Sequence, residues 1–396
     1  MANATFQFNN CSEIVDLDHP DNSNNDQLPL DVLKAKIKCQ IDAFNLRILP
    51  FTTLVQGLLY YGTTVIVCVG LFFNAVSFVV LTRKRMRKSS VNMFLTALTI
   101  SDSLSLTMNF MIGVTRAQNF SANQSFMDNQ SLCKLHGVFV VVFNLLSVWT
   151  IVSFTIARFL IVKYPHKAKK FTEKRTLIII ASVWLAVIMF SCHKIFIAGF
   201  EGDSVFGYKG CQTDRLRVPD IGKFYVAFNT WLPSLLILTL NVFIIRMIRK
   251  QNVRRQTMIQ STNLTTSRLD VKATKVLLTV SFTYFVLRSP LGIIQTLELF
   301  WDNTVHATPL VDPLYVFNCL IKIQLKWIRA FFFFFYQLNF AVIFFLNVFV
   351  SAHKMFQRTL LDVIGVKFKD TSPEPQVALP MGSNAVAPLS QRAEAK

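Results

Sequence analysis

Charge is what this sequence has little of. Only 16% of its 396 residues are Asp, Glu, Lys or Arg, whereas soluble domains carry about 25%. Acids are the scarcer sign, with 22 Asp and Glu against 41 Lys and Arg. The charges also cluster, so long stretches hold almost none. Those stretches are apolar: 52% of the chain is hydrophobic, and Phe alone fills 38 positions. These proportions argue against a soluble enzyme, a disordered protein and a fibrous repeat. The sequence also lacks internal repeats, His/Cys clusters at metal-ligand spacing and a Gly-rich loop that could cradle phosphate. No apolar signal-peptide core precedes the first long apolar run, which follows a segment rich in Asn and Asp. The N-terminus is therefore expected to cross a membrane without a cleaved leader.

A bilayer core about 30 Å thick is crossed by about 20 apolar helical residues. Seven stretches qualify: Leu54–Leu81, Val91–Thr115, Lys134–Val162, Thr176–Ile197, Phe224–Ile245, Val276–Leu299 and Trp327–Val350. With no water to satisfy backbone groups, each is expected to be a helix. The basic residues fall between alternate spans: five in Thr82–Lys88, six in Lys163–Arg175 and eight in Arg246–Lys275, the last against the single acid Asp270. The first 50 residues hold seven acids and four bases. The positive-inside rule then places the N-terminus outside and the C-terminus inside. The net charge of +19 thus needs no nucleic acid. Each basic loop is a topology signal and a contact to anionic lipid, or a docking surface besides. Asn3, Asn10, Asn119, Asn123 and Asn129 begin Asn-x-Ser/Thr sequons in segments placed outside, and are expected to carry glycan. Asn263 begins one in the long inner loop and is expected to stay bare.

Several polar, Cys and Pro residues fall at telling places. The first span reads Gly-Leu-Phe-Phe-Asn-Ala-Val-Ser, with Asn74; the second reads Leu-Thr-Ile-Ser-Asp, with Asp102. Cys133 opens the third span, and Arg158 closes it 25 residues later, followed by Lys-Tyr-Pro at 163–165. Trp184 lies in the fourth span, Pro233 in the fifth and Pro290 in the sixth, and Phe356 opens a short amphipathic stretch after the seventh. In this order and spacing, the chain resembles the rhodopsin-like (class A) G-protein-coupled receptors over residues 54–366. The basic run after the first span (Thr-Arg-Lys-Arg-Met-Arg-Lys-Ser-Ser-Val-Asn) is similar in style to invertebrate neuropeptide receptors.

The resemblance implies an all-α membrane protein of the plasma membrane. Its seven-transmembrane helix bundle would have the N-terminus outside, the C-terminus inside and a short amphipathic helix after span seven. The expected divisions are an extracellular tail at 1–53, the transmembrane domain at 54–350, a juxtamembrane amphipathic helix at 351–369 and a disordered cytoplasmic tail at 370–396. It implies a Cys133–Cys211 disulfide, and in some peptide receptors a second bridge, here Cys39 to Cys319, for which Cys11 competes. Arg158 would face a heterotrimeric G protein. Pro233 and Pro290 would bend their helices. Receptor kinases and arrestin would act at Ser and Thr residues such as Thr371, Ser372, Ser383 and Ser390.

Asp102 is an acid inside a span, which costs at least about 2.5 kcal/mol unless compensated. The family would give it Asn74 and Ser147 as neighbours. Two readings stand: a sodium ion or water network, or a protonated, hydrogen-bonded Asp with no ion. Sodium is in doubt, because the family's polar residue in span seven is missing, with Phe345 or Leu346 near its place. No other cofactor is expected.

Three family signatures are altered. The acid-Arg-aromatic triplet reads Ala157-Arg158-Phe159, so the acid that restrains Arg158 is gone. Arg288 replaces the aromatic two residues before Pro290. The Asn-Pro-x-x-Tyr motif is lost, its best counterpart being Phe345-Leu346-Asn347-Val348-Phe349. A guanidinium in mid-span should face the bundle interior and find a partner. Arg288 is therefore either an anion site for a ligand or a structural group bonded to Asn144 and backbone carbonyls. Glu298 lies ten residues on, about 15 Å along a helix, too far to pair directly. Asn144 and His193 join Arg288 as pocket candidates. The acid of amine receptors is absent, its place taken by Val140, and Phe331–Val350 holds no Lys for retinal.

The expected function is reception of an extracellular ligand, a neuropeptide before other small molecules, and its transduction to a G protein. A chemosensory receptor for a small anion, using Arg288, His193 and Lys194, is the rival within the class. A membrane transporter is the rival outside it, but the paired Gly/Pro-broken segments of transporters are missing.

Overall fold

The computed structural model describes residues 30–87, 89–113, 129–164, 172–192, 198–203, 208–213, 221–257, 264–345 and 354–365. Helix α1 (Leu30–Arg47) precedes the spans. The seven spans are α2 (Leu49–Leu81), α3 (Ser90–Gly113), α4 (Gln130–Lys163), α5 (Glu173–Ser191), α6, α7 (Leu264–Ala307) and α8 (Pro313–Ala341). Helix α6 runs as Ile221–Val226, a π-helical turn Ala227–Trp231, and Leu232–Thr257. Helix α9 (Lys354–Ile364) follows. Between α5 and α6, β1 (Ala198–Asp203) pairs antiparallel with β2 (Tyr208–Thr213), and β1 packs on α4. This hairpin is the one departure from an all-helical chain among the described residues.

Five spans are apolar and long enough to cross a bilayer on composition alone: α2, α4, α5, α6 and α7. The other two, α3 and α8, are the polar ones. Helix α3 carries Thr99, Ser101, Asp102, Ser105 and Asn109, all buried, so its polar side faces the bundle. Helix α8 corrects the expected seventh span. It starts at Pro313, not near Trp327, because Asp312 caps it: the Asp312 carboxylate accepts from Leu314 N–H at 2.8 Å, and Pro suits a first helical turn. It carries Lys322 in its third turn and Arg329 past its midpoint, and both charges are matched by acids on α7.

The largest core cluster occupies the inner half. Leu81, Phe94, Leu98, Val148, Phe154, Ile237, Leu277 and Tyr284 meet there, and α9 closes it with buried Phe356. A second cluster joins α2, α3, α7 and α8 through Ile66, Leu106, Leu291, Tyr336 and Phe340. Phe332, Phe333 and Phe334 pack on it half-buried. At the outer end, Ile37 and Ile41 of α1 pack on Val305, Tyr315 and Cys319.

That contact overturns the Cys39–Cys319 bridge. Ile37 and Ile41, four apart, form the α1 face turned to α8; Cys39 lies about 200° round the helix from Ile37. Cys319 stays a thiol, buried among these side chains, whereas Cys39 is disulfide-bonded. Cys68 and Cys192 are thiols as well; Cys11 and the side chains of Cys133 and Cys211 lie outside the described ones. The Cys133–Cys211 pairing falls on those same side chains. Of the expected glycan sites, Asn3, Asn10, Asn119 and Asn123 lie outside the described residues. Asn129 is exposed and caps α4, its Oδ1 accepting from Ser131 and Leu132 N–H at 3.0 and 3.2 Å. That cap leaves its amide nitrogen to a glycan.

Candidate ligand and coupling site

Arg288 stands at the centre of the bundle, 1% exposed, one turn before Gly292 on the same α7 face. Glycine is needed there: a Cβ on Gly292 would lie 2.3 Å from Thr230 Cγ2, so α7 and α6 touch closely at this level. Arg288 reaches across this contact. Its NH2 nitrogen donates to Thr230 Oγ1 at 3.3 Å and to the Asn229 carbonyl at 3.5 Å. Asn229 is four residues before Pro233, which has no N–H to give to that carbonyl. The guanidinium serves a backbone carbonyl that the proline leaves short of a donor. On its other side, the guanidinium lies 4.3 Å from the centroid of the Tyr336 ring of α8, a cation–π contact that strengthens when water is excluded. Tyr225 and Tyr284 complete the surroundings.

Arg288 therefore joins α6, α7 and α8. Among the described residues it has no acid within ion-pair distance. Glu298 is occupied instead by Arg329 of α8 at 3.1 Å. Asn144 is buried but makes no hydrogen bond to Arg288, and His193 lies outside the described residues. One turn above Glu298, Asp302 binds Lys322 at 2.5 Å. These two rungs clamp the outer halves of α7 and α8. Asn109 Nδ2, Asn229 Oδ1, Gln295 Oε1 and Arg288 Nε are buried polar atoms without a hydrogen bond. Such atoms are rare in folded proteins and mark places where a ligand or water bonds.

Asp102 lies one helical layer inward, 1% exposed, accepting from Ser147 Oγ at 2.6 Å. Asn74 is not its partner. Its amide donates to the Phe340 carbonyl at 3.0 Å, tying α2 to α8. Of the expected cluster, Asp102 and Ser147 meet, and Asn74 Oδ1 is left buried without a hydrogen bond. The polar residues of α8 missed in the sequence are Gln337 and Asn339, both buried, with Gln337 Nε2 donating to Thr63 Oγ1 at 3.2 Å. Tyr336 is within electrostatic reach of both Asp102 and Arg288.

At the inner end, Arg158 is 7% exposed, its guanidinium 5.7 Å from the Phe154 ring centroid. Buried Ala157 sits beside it. Pro233 follows the π-helical turn, and Pro290 lies within the continuous α7. Trp184 donates to Thr150 Oγ1 at 3.1 Å and pins α5 to α4.

A family model described as seven-transmembrane receptor (rhodopsin family) matches residues 74–326. The chain belongs to this family. It is a multi-pass membrane receptor of the plasma membrane, not an enzyme. Among curated relatives, a Gq-coupled rhodopsin of Mizuhopecten yessoensis is 24% identical over 63% of this chain and 52% of its own length. An FMRFamide peptide receptor of Caenorhabditis elegans, frpr-18, is 29% identical over 44% of the chain and 41% of its length. A neuropeptide S receptor of Rattus norvegicus is 28% identical over 30% and 31%. The chain thus spans about half or less of these relatives' lengths. The family's receptor architecture agrees with the bundle, but Ala157 and Arg288 keep it apart from the usual signatures.

Proposed function

We propose that this receptor binds an extracellular peptide between the outer halves of its helices and passes the signal to a heterotrimeric G protein at the inner end of α4. The observation that carries the reading is Arg288. It bridges three helices at mid-span, between the outer ion-pair rungs and the inner Arg158. A ligand that binds the outer polar atoms better in one arrangement of α6, α7 and α8 shifts the population toward that arrangement. Long Arg288 contacts are the ones such a shift makes or breaks. Two relatives are named as peptide receptors and one as Gq-coupled, which supports both halves of the proposal. Retinal is disfavoured by the lysines of α8: Lys322 is ion-paired with Asp302, and Lys326 is exposed.

A second reading, a small anionic ligand, is favoured by a buried guanidinium with no acid beside it among the described residues. One experiment separates the readings. Cells expressing the receptor with a promiscuous G protein and a calcium reporter are screened against a peptide library and a panel of small carboxylates. A peptide hit supports the first reading, and a carboxylate hit the second. Solute uptake without any G-protein signal would overturn both.

A further inference from the structure

The inward face of α8 carries a base with no partner. Lys322, Lys326 and Arg329 are three to four residues apart and share one helix face. That face meets α7, where Asp302 holds Lys322 and Glu298 holds Arg329. Both acids are thereby engaged, and Lys326, between the two rungs, makes no ion pair or hydrogen bond. It is exposed, yet it does not face lipid. Phe317 and Phe335, 56% and 37% exposed, are each nine residues from it, about two and a half turns, and so lie on the opposite side of the helix. Cys319 and Phe333 are each seven residues from it, about two turns, and so lie on its own side. Cys319 is buried beside α1, and Phe333 packs in the second core cluster. The exposure of Lys326 is therefore an opening in a face that is closed above and below it.

The depth of this opening follows from the helical rise. Tyr336 is within electrostatic reach of Asp102, and Asp102 bonds Ser147, so these three mark one layer. Arg158 lies eleven residues inward of Ser147 on α4, and Lys326 ten residues outward of Tyr336 on α8. The two bases therefore stand about 16 Å and about 15 Å from that layer, on opposite sides of it. Their separation is the thickness of a bilayer core, about 30 Å. With Arg158 at the inner edge, Lys326 stands at the outer edge, on the bundle side of its helix. Two buried amides lie further in. Asn109 is seven residues outward of Asp102 on α3, and Gln295 seven outward of Arg288 on α7. Each thus shares the face of its anchor and lies about 10 Å outward of it. Asn109 Nδ2 and Gln295 Oε1 have no hydrogen bond, a condition rare among buried polar atoms.

We propose that Lys326 binds a carboxylate of the peptide agonist, and that Asn109 and Gln295 bond main-chain amides of the residues that reach further in. The inference rests on the peptide reading above and names the chemistry of its outer contact. A charge-assisted hydrogen bond is about twice as strong as a neutral one, so an ammonium selects a carboxylate over an amide oxygen. Each side-chain amide carries donors and an acceptor, which suits a peptide bond, itself both donor and acceptor. Arg288 is already engaged by Thr230, the Asn229 carbonyl and the Tyr336 ring, which leaves the outer base as the unengaged one.

Cells expressing the full-length receptor with a promiscuous G protein and a calcium reporter receive random octapeptide pools. The pools fix one Glu or, in their twins, one Gln, and each is made with a free-acid and an amidated C-terminus. Wild type should respond to carboxylate-bearing pools at about tenfold lower concentration than to their neutral twins, the usual worth of a hydrogen bond to a charged group. At matched surface staining, Lys326→Gln should remove that difference, Lys326→Arg should keep it, and Lys326→Glu should move the preference to pools that fix Lys. A difference that follows Glu at either terminus assigns a side-chain carboxylate; one that follows the free acid alone assigns the C-terminus. Equal potency of acidic and neutral pools on wild type, or a difference that persists in Lys326→Gln, overturns the carboxylate contact and leaves the peptide reading standing. Silence of every pool on wild type overturns the peptide reading and the contact with it. A second measurement needs no agonist. Intact cells are treated with membrane-impermeant sulfosuccinimidyl acetate, and acylated lysines are mapped by mass spectrometry. Lys326 should react to an extent similar to exposed Lys34 of α1 and several-fold more than ion-paired Lys322. Lys326 as unreactive as Lys322 overturns the opening.

Discussion

Replacing Arg288 by Met should leave the receptor nearly as stable as wild type while removing its ligand-evoked response. The two hydrogen bonds, at 3.3 and 3.5 Å, are longer than the usual 2.9–3.0 Å for N–H···O and belong at the weak end, about 1 kcal/mol each. The contact to the Tyr336 ring at 4.3 Å is desolvated and worth about 2 kcal/mol. Against that sum of about 4 kcal/mol stands the cost of holding a guanidinium out of water, several kcal/mol even after relaxation. No adjacent acid recovers it. Met fills similar space without the charge, so the net change should stay within about 2 kcal/mol of zero. Arg288→Ala removes the charge and the packing together, and should cost about 3–5 kcal/mol, as large-to-small core changes do. Lys keeps the charge but loses the planar stack and the two-way reach, so it should fall near Ala. Detergent-solubilised variants in a Cys68→Ser, Cys192→Ser background, which removes the two exposed thiols, can be melted with a thiol-reactive dye, since buried Cys319 reacts only when the bundle opens. The expected order is wild type and Met together, Lys and Ala well below. If Met melts as low as Ala, the guanidinium is a net structural bolt and the balance above is wrong.

Arg158→Ala should abolish G-protein signalling at unchanged surface level and ligand binding; an unchanged response would mean coupling by another route. Arg329→Ala and Glu298→Ala, with the double variant, should give a coupling of no more than about 1 kcal/mol in thermal stability, because Arg329 is 41% exposed at the side chain and solvent screens the pair. A larger coupling would mean a drier outer rung than the geometry shows. Glycosidase should shift the wild-type band, and Asn119, Asn123 or Asn129 changed to Gln should reduce that shift. Asn263→Gln should leave it alone, and a loss there would invert the topology.

The bundle was largely legible in the sequence because dense apolar runs separated by basic loops need no long-range information. The seventh span was misplaced for the converse reason. An apolar-run rule settles on Trp327–Val350, whereas α8 begins at Pro313 and carries Lys322 and Arg329. Those charges are tolerable only because Asp302 and Glu298 stand opposite on another helix. Local composition cannot register that pairing. The Asp102–Ser147 bond was legible through the family resemblance, which offered Asn74 and Ser147 as neighbours of the acid. The Asn74 partner was not, because it is a carbonyl of Phe340 and every residue has one. Arg288 stood out as an oddity, but Thr230 and Tyr336 did not. The useful signal was Gly292 one turn on, which fixes the face that touches α6. The Cys39–Cys319 pairing fails on the spacing of Ile37 and Ile41, which turns Cys39 away from Cys319.

The two altered signatures bear on one question, what holds the resting state. In the family an acid beside the arginine supplies an inner-end restraint, and Ala157 cannot. Mid-span, an aromatic is exchanged for Arg288, whose contacts to α6 and α8 are directional and few. A bond of 3.3 Å is lost with a shift of about half an ångström, since hydrogen bonds weaken steeply beyond their normal range. Packing of an apolar ring has no such threshold. We therefore expect the restraint to have moved from the inner end to mid-span. Arg288→Met should then raise ligand-free signalling, and Ala157→Asp should lower it in wild type and in Arg288→Met alike. About 1.4 kcal/mol of added restraint cuts a small active fraction about tenfold. Basal signalling is read by calcium or cyclic-AMP reporters at matched surface levels. If Ala157→Asp is silent in both backgrounds, Arg158 is already held by other contacts. If Arg288→Met does not raise basal signalling, the resting state is not held at mid-span.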